Sequence, residues 1–204
     1  AQEGRVAPPL VPVPHFKGAP LSFAQQRLWF LDQLEGGAAY NVPSAIRLTG
    51  ELDTELLEHA LNDLVARHES LRTIFGQNDS GPVQIVAPEL TLALIKVNMT
   101  AASGEQIAHE LTQLSREPFD LARGPLLRLH ALKTGADEHI ILLVMHHIIS
   151  DAWSLGILFR ELMTFYDARR NNRAADLPAL PIQFADYAIW QRAWGRGASA
   201  STAS

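Results

Sequence analysis

Apolar residues recur every three to four positions in several parts of the chain, a spacing that places them on one face of an α-helix. The clearest run follows Asp53 and consists of Leu57, Ala60, Leu61, Leu64 and Val65. A second run marks a helix that begins near Ser154, and it consists of Leu155, Leu158, Phe159, Leu162, Met163 and Tyr166. A last helix is predicted over residues 181–194.

Two S-x-x-Q sequences predict where further helices begin. A serine at a helix N-cap and a glutamine three residues later accept hydrogen bonds from each other's backbone N–H groups. Ser22 and Gln25 predict a helix that runs to about Leu34, and Ser103 with Gln106 predicts another. The second of these helices should bury Ile107, Leu111 and Leu114.

Alternation of apolar and polar residues in NVPSAIRLTG, residues 41–50, predicts a β-strand. Shorter strands are predicted near 72–75, 83–86, 92–97, 127–133 and 140–145. The last of these has six consecutive apolar residues, so both of its faces should be buried. The intervening TGADE sequence predicts a hairpin loop. Helices and strands in this order predict an α/β fold in which helices pack on a mixed sheet.

The two ends of the chain have a different composition from the middle. Residues 1–18 contain Pro8, Pro9, Pro12 and Pro14, which favour a semi-rigid, polyproline-like linker. Residues 195–204, GRGASASTAS, offer no apolar surface to bury, and we expect a disordered tail. The folded unit should therefore cover residues 19–194.

Charge and composition exclude several classes of function. The formal net charge is −5 without any dense run of Lys and Arg, which argues against binding to nucleic acid or to an anionic membrane. The chain has no cysteine, so it uses neither disulfides nor thiolate zinc sites. No apolar run approaches the length of a membrane span, and a cytoplasmic location is expected.

The sequence MHHIISDAWS, residues 145–154, places two adjacent histidines at the end of the buried strand. Successive strand residues point to opposite faces, so His146 and His147 are poorly placed to share a metal, and no third ligand follows at a familiar spacing. Both could be core histidines bonded to backbone groups. Ligands, however, collect at the carboxyl ends of strands in α/β sheets, where an imidazole can take a proton near pH 7.

Asp151 follows His147 by four residues and has three plausible roles: it orients the histidine, caps the next helix, or pairs with an arginine. The chain has no nucleophile motif such as G-x-S-x-G. Chemistry at this site would therefore be transfer between two bound substrates without a covalent enzyme intermediate.

HHIISDAWS resembles the HHxxxDG motif of the condensation domains of nonribosomal peptide synthetases, which belong to the chloramphenicol acetyltransferase-like superfamily. Three further stretches resemble motifs of that family in the family's order: SFAQQRLWFL (22–31), RHESLRTIF (67–75) and FADYAIW (184–190). The first two are closest to the subtype that joins two L-configured residues. The resemblance covers most of residues 20–194.

The resemblance implies amide-bond formation between two thioesters carried on the phosphopantetheine arms of carrier domains, with no cofactor or metal bound by this chain. His147 would be the catalytic residue, as a general base or by positioning the amine, and His146 would be structural. Asp151 would be buried and would hold the loop by pairing with Arg67 or Arg72. Ala152, Trp153 and Ser154 are candidates to line the substrate tunnel.

Two departures from the family pattern affect the expected activity. Family members have two lobes around the tunnel, and the resemblance covers the N-terminal lobe alone, so this chain should form no peptide bond by itself. Its uncovered surface would favour self-association or contact with its own tail. Ala152 stands where the motif has Gly. Alternative hypotheses are an inactive lobe that docks a carrier or neighbouring domain, and a stand-alone acyltransferase that uses a soluble thioester.

Overall fold

The computed structural model describes residues 7–14 and 18–200, except the side chains of Ala152 and of residues 196–200. Its strands are β1 (Ala19–Pro20), β2 (Asn41–Thr49), β3 (Thr73–Asn78), β4 (Gly81–Val86), β5 (Ile95–Asn98), β6 (Leu127–Lys133) and β7 (Glu138–His146). Its α-helices are α1 (Phe23–Glu35), α2 (Thr54–Arg67), α3 (Gly104–Arg116), α4 (Ala152–Arg170) and α5 (Phe184–Ala200), and a 3₁₀ turn covers Glu69–Arg72.

The larger sheet has the strand order β2-β7-β6-β5 and holds the core. β7 is antiparallel to both of its neighbours, whereas β5 and β6 are parallel, so the sheet is mixed as predicted. Every residue of β7 from His139 to His146 is buried, which confirms that the apolar run is covered on both faces. The predicted α/β arrangement of helices on a mixed sheet is confirmed.

A second, antiparallel sheet has the order β1-β4-β3, so the strands divide between two sheets where the sequence predicted one. β3 and β4 form a hairpin, and the turn is closed by Gly81 at φ +112°, a left-handed value that favours glycine. β1 was not predicted because it has only two residues and therefore no periodicity. It is held by pairing with β4 and by the Gln84 side chain, whose Nε2 donates to Pro20 O at 2.9 Å.

The helix starts follow the local capping signals. Both predicted capping boxes form at the starts of α1 and α3. In α2 the predicted apolar face is buried, with Leu57, Ala60, Leu61, Leu64 and Val65 all at most 3% exposed. Fully burying one such leucine contributes about 1.5–3 kcal/mol relative to its exposed state. In α4, by contrast, Met163 is 38% exposed and does not belong to the buried face.

Two predicted boundaries were wrong. The strand expected over residues 92–97 begins only at Ile95, because α2 side chains take the earlier donors: Leu92 N donates to Asn62 Oδ1 at 2.8 Å and Leu94 N to Glu58 Oε2 at 2.9 Å. α5 continues to Ala200, so the segment from Gly195 to that residue is helical where a disordered tail was expected. Residues 201–204 of that predicted tail lie outside the described residues. Residues 7–14 of the predicted linker have neither helix nor strand.

A cluster of largely buried polar side chains joins the end of α2 to α4. Glu161 Oε2 lies 3.0 Å from Arg67 Nε and 2.7 Å from His68 Nε2, and the three side chains are only 9–16% exposed. Arg67 also donates through Nη2 to Pro178 O at 2.7 Å. Glu161 therefore satisfies two groups at the end of α2. Arg67 in turn holds the segment that leads into α5.

Replacement of Glu161 by Ala should lower the free energy of unfolding by about 3 kcal/mol, because Arg67 would remain buried without its carboxylate. The matched control is Asp63→Ala, which removes a second ion pair between the same helices. Asp63 Oδ2 lies 2.5 Å from Arg169 Nε, but the side chains are 31% and 40% exposed. This control should cost less than about 1 kcal/mol. Urea denaturation measures the change in the free energy of unfolding for both variants. Equal losses would contradict the assignment of Glu161 as the buried partner of Arg67.

Candidate active site

The two histidines of the motif lie where β7 leaves the sheet. β7 ends at His146, whose N–H donates to Leu126 O at 3.0 Å, and His147 N donates to Tyr40 O at 2.8 Å. His146 is fully buried, whereas His147 is exposed. The alternation expected at a strand end therefore separates the two side chains into different environments.

His146 is held as a neutral core residue. Its Nδ1 accepts a hydrogen bond from Ile148 N at 3.1 Å, so the proton of the neutral ring is on Nε2, which lies 3.7 Å from Asp32 Oδ1. Burial, and secondarily the neighbouring His147, lowers the pKa of His146 from 6.5 to about 4. The rings of Tyr40 and Phe119 lie 6.2 and 6.4 Å from its centroid. These contacts fit the structural role expected for this residue.

His147 is oriented by the turn that follows it. Its Nδ1 lies 2.6 Å from Ser150 O. Because a carbonyl oxygen only accepts, Nδ1 carries the proton, and the neutral ring therefore has its lone pair on Nε2. An imidazole fixed in this tautomer can accept a proton or a hydrogen bond from a substrate at Nε2.

Asp151 does not form the expected buried pair with an arginine. The residue is exposed, and its Oδ1 accepts from Ser154 N at 2.8 Å, while Asp151 N donates to Ser154 Oγ at 2.9 Å. These reciprocal bonds cap α4, which begins at Ala152. Because the cap lies at the surface, the Asp151 carboxylate stays in contact with water. It therefore does not need an arginine to neutralise its charge.

Arg67 and Arg72 are also engaged elsewhere. Arg67 pairs with Glu161, as described above. Arg72 donates through Nη1 to Ala87 O, and its Nη2 lies 3.7 Å from Glu69 Oε1. The structure therefore brings neither arginine to Asp151. Arg67 contacts α4 and the segment before α5, and Arg72 contacts the residue after β4.

A cleft of about 470 Å³ opens beside His147. The turn and the start of α4 supply residues 147–151, Trp153 and Ser154, which places two of the three predicted tunnel residues on its wall. Trp153 is 82% exposed. The side chain of Ala152, the third predicted residue, lies outside the described part of the structure, although its backbone forms the first residue of α4.

Sequence reasoning missed the other walls of this cleft. Ser22, Gln25 and Leu28 of α1 lie on one side, and Tyr187 and Gln191 of α5 lie on another. The capping box at Ser22 predicted the start of α1, but only the tertiary structure places that start opposite His147.

Among the residues that the structure describes, no cluster of three or more His, Cys, Asp or Glu side chains could hold a metal ion. In the same residues, no helix is long and apolar enough to cross a membrane.

Comparison with known proteins identifies relatives over most of the chain. The profile described as condensation domain matches residues 17–201. One of the linear gramicidin synthase proteins of Brevibacillus parabrevis is 46% identical over 194 residues, which are 93% of this chain but only 2% of that protein. The dimodular nonribosomal peptide synthase of Bacillus subtilis is 45% identical over 174 residues, which are 85% of this chain and 7% of that protein. The chain thus spans a small part of the length of these curated relatives.

Two solved structures are similar in fold and in sequence. The X-domain in its complex with OxyB from teicoplanin biosynthesis has a TM-score of 0.86 and 33% identity, over 96% of this chain and 42% of that chain. The first condensation domain of the calcium-dependent antibiotic synthetase, solved with a substrate analogue, has a TM-score of 0.74 and 26% identity. That match covers 80% of this chain and 40% of the other.

Stability should fall below neutral pH because of His146. Its pKa is about 4 in the folded protein and about 6.5 when unfolded, so the unfolded chain binds more protons between these values. This difference removes about 2 kcal/mol of the free energy of unfolding between pH 7.5 and pH 5. His146→Asn retains an acceptor for Ile148 N–H but cannot titrate. Between pH 7.5 and pH 5 its free energy of unfolding should therefore fall by about 2 kcal/mol less than that of the parent protein.

Urea denaturation at the two pH values measures this difference. The matched control is His109→Asn, on the surface helix α3, which should leave the pH dependence unchanged. An equal pH dependence in the parent and in His146→Asn would show that His146 does not remain neutral in the fold.

Proposed function

The chain belongs to the condensation-domain family, and we propose that it supplies the histidine-bearing lobe of a domain that forms an amide bond between two carrier-bound thioesters. The single observation that carries this proposal is His147, which is exposed at a strand end and fixed in one tautomer beside an open cleft. The match to the condensation-domain profile over residues 17–201 supports the reaction class. We place the reaction in the cytoplasm.

The proposed reaction joins an acceptor amine to a donor thioester. The amine nitrogen attacks the thioester carbonyl, the new C–N bond forms, and the C–S bond breaks to release the donor's phosphopantetheine thiol. The nitrogen loses one proton, which ends on the departing sulfur. Nε2 of His147 would accept the hydrogen bond of the attacking amine and thereby hold it in the orientation needed for attack.

The partners in this proposal are carrier domains, which bring the phosphopantetheine arms as part of the two substrates. The similar solved chains are more than twice as long as the matched region, and we propose that a second lobe completes the cleft around His147. The sequences of residues 22–31 and 67–75 favour acceptors and donors that are both L-configured.

A second candidate function is a lobe that docks a protein partner without catalysing condensation. The similarity to the X-domain favours it, because that structure is a complex with OxyB. A product assay combined with a carrier-binding titration separates the two functions: a docking lobe binds its partner without forming product.

In a domain completed by its second lobe, His147→Ala should lower the rate of condensation by about 10²-fold or more, because the amine would lose the hydrogen bond that orients it and a displacement of about 1 Å can cost about 10²-fold. Single-turnover assays with two loaded carriers measure the rate, and thermal denaturation confirms that the variant is folded. The matched control is His109→Ala, which removes an imidazole from the distant helix α3. Near-normal turnover by His147→Ala would refute the assignment of this histidine. Full-domain rates from residues 1–204 alone would instead refute the proposal that a second lobe completes the site.

Ala152→Gly, which restores the family's residue in the motif, should raise turnover and leave the melting temperature nearly unchanged. The reason is the family motif, which has Gly at this position, five residues after His147. Reacting atoms at that histidine must approach to about 3–3.5 Å, and a displacement of about 1 Å can cost about 10²-fold. Turnover and melting temperature are measured in the completed domain. Equal turnover would show that the methyl group is tolerated, and lower turnover would contradict the argument from the motif.

A further inference from the structure

The proline-rich segment before the first strand is held against the fold. It contains Pro8, Pro9, Pro12 and Pro14, and residues 9–12 have the spacing P-x-x-P. Residues 7–14 form neither helix nor strand. Proline lacks an N–H and has a fixed φ, so such a segment favours the extended polyproline II conformation and presents its carbonyl groups to a partner.

Two directed hydrogen bonds join this segment to α5. The indole Nε1 of Trp190 donates to Pro8 O at 2.7 Å. The N–H of Val13 donates to Asp186 Oδ1 at 2.8 Å. Asp186 and Trp190 are four residues apart, one turn along the same helix face, and the segment therefore runs antiparallel to α5.

Trp190 is the centre of an aromatic stack on α5. Its ring is stacked with Tyr187 at 6.0 Å between centroids and with Trp194 at 6.1 Å. Domains that recognise P-x-x-P ligands present aromatic side chains to them, and the preformed ligand loses little entropy on binding. Here the aromatic stack contributes the Trp190 indole donor to Pro8 O. We propose that α5 is a polyproline II recognition surface whose ligand is the chain's own segment of residues 8–14.

The receptor side of this contact is rigid. Asp186 is only 3% exposed, and its Oδ2 accepts from Gln183 N at 2.8 Å. Gln183 in turn accepts from Glu69 N at 3.1 Å and donates to Arg67 O at 3.1 Å. The carboxylate that binds Val13 is thus held through Gln183 by backbone groups of Arg67 and Glu69, contacts that do not involve the segment. A preorganised acceptor of this kind lowers the entropic cost of docking.

The ligand side is mostly open to water. Val11 is 51% exposed and Leu10 is 36% exposed, so the segment buries little apolar surface. Its attachment depends on directed hydrogen bonds and on the stiffness of the prolines. The docked segment also braces the helix whose Tyr187 and Gln191 line the cleft at His147. This inference holds whether or not the lobe takes part in condensation.

Amide hydrogen exchange in the intact chain, followed by NMR, tests the proposal. The Val13 amide should exchange more slowly than its intrinsic rate, and its protection should exceed that of the exposed Val11 amide. Trp190→Phe keeps an aromatic ring but removes the donor to Pro8, so Val13 exchange should become about fivefold faster, the usual effect of one lost hydrogen bond on an opening equilibrium. The matched control, Trp153→Phe, should leave Val13 exchange unchanged.

A second variant tests the recognition of polyproline II itself. The double change Pro9→Ala and Pro12→Ala keeps both hydrogen-bonding partners but frees the unbound segment, so Val13 exchange should rise about tenfold. The amide of Leu142, in the buried strand β7, reports whether each variant is folded. Exchange of Val13 at its intrinsic rate in the parent, or no response to Trp190→Phe in a folded variant, would overturn docking. No response to the double change would overturn polyproline II recognition.

Discussion

The central constraint in this fold is that β7 lies between β2 and β6 with both faces covered. Its residues from His139 to His146 are buried, and the strand ends at His146. His147, the next residue, is exposed. The first imidazole remains in the core and stays neutral, and the second enters the cleft. The site is therefore a consequence of how a doubly covered strand ends.

Much of the fold could be predicted because its signals are local. The capping boxes at Ser22 and Ser103 form where the sequence indicates them, since each depends on two residues one turn apart. The apolar run of residues 140–145 was correctly predicted to be buried on both faces. The family motifs predicted the chemistry at the end of this strand, and the structure has a cleft at that position.

The errors concern choices that only tertiary structure decides. Asp151 could cap a helix or pair with an arginine, and the sequence contains residues for both. The structure uses Ser154 as its partner and gives Arg67 to Glu161, a residue whose position on α4 did not distinguish it in the sequence. The division into two sheets was equally hidden, because β1 is defined by its pairing with Gln84 and Val83 and not by its own two residues.

The geometry of His147 also bears on how it would act. In a Ser-His-Asp triad, a buried carboxylate bonded to Nδ1 orients the ring and stabilises the imidazolium that forms. Here the group 2.6 Å from Nδ1 is the neutral carbonyl of Ser150, and the carboxylate of Asp151 accepts from the α4 backbone. A carbonyl fixes the tautomer as firmly as a carboxylate but offsets less positive charge. This arrangement favours a histidine that holds the amine by a hydrogen bond at Nε2 over one that carries a full proton through the reaction.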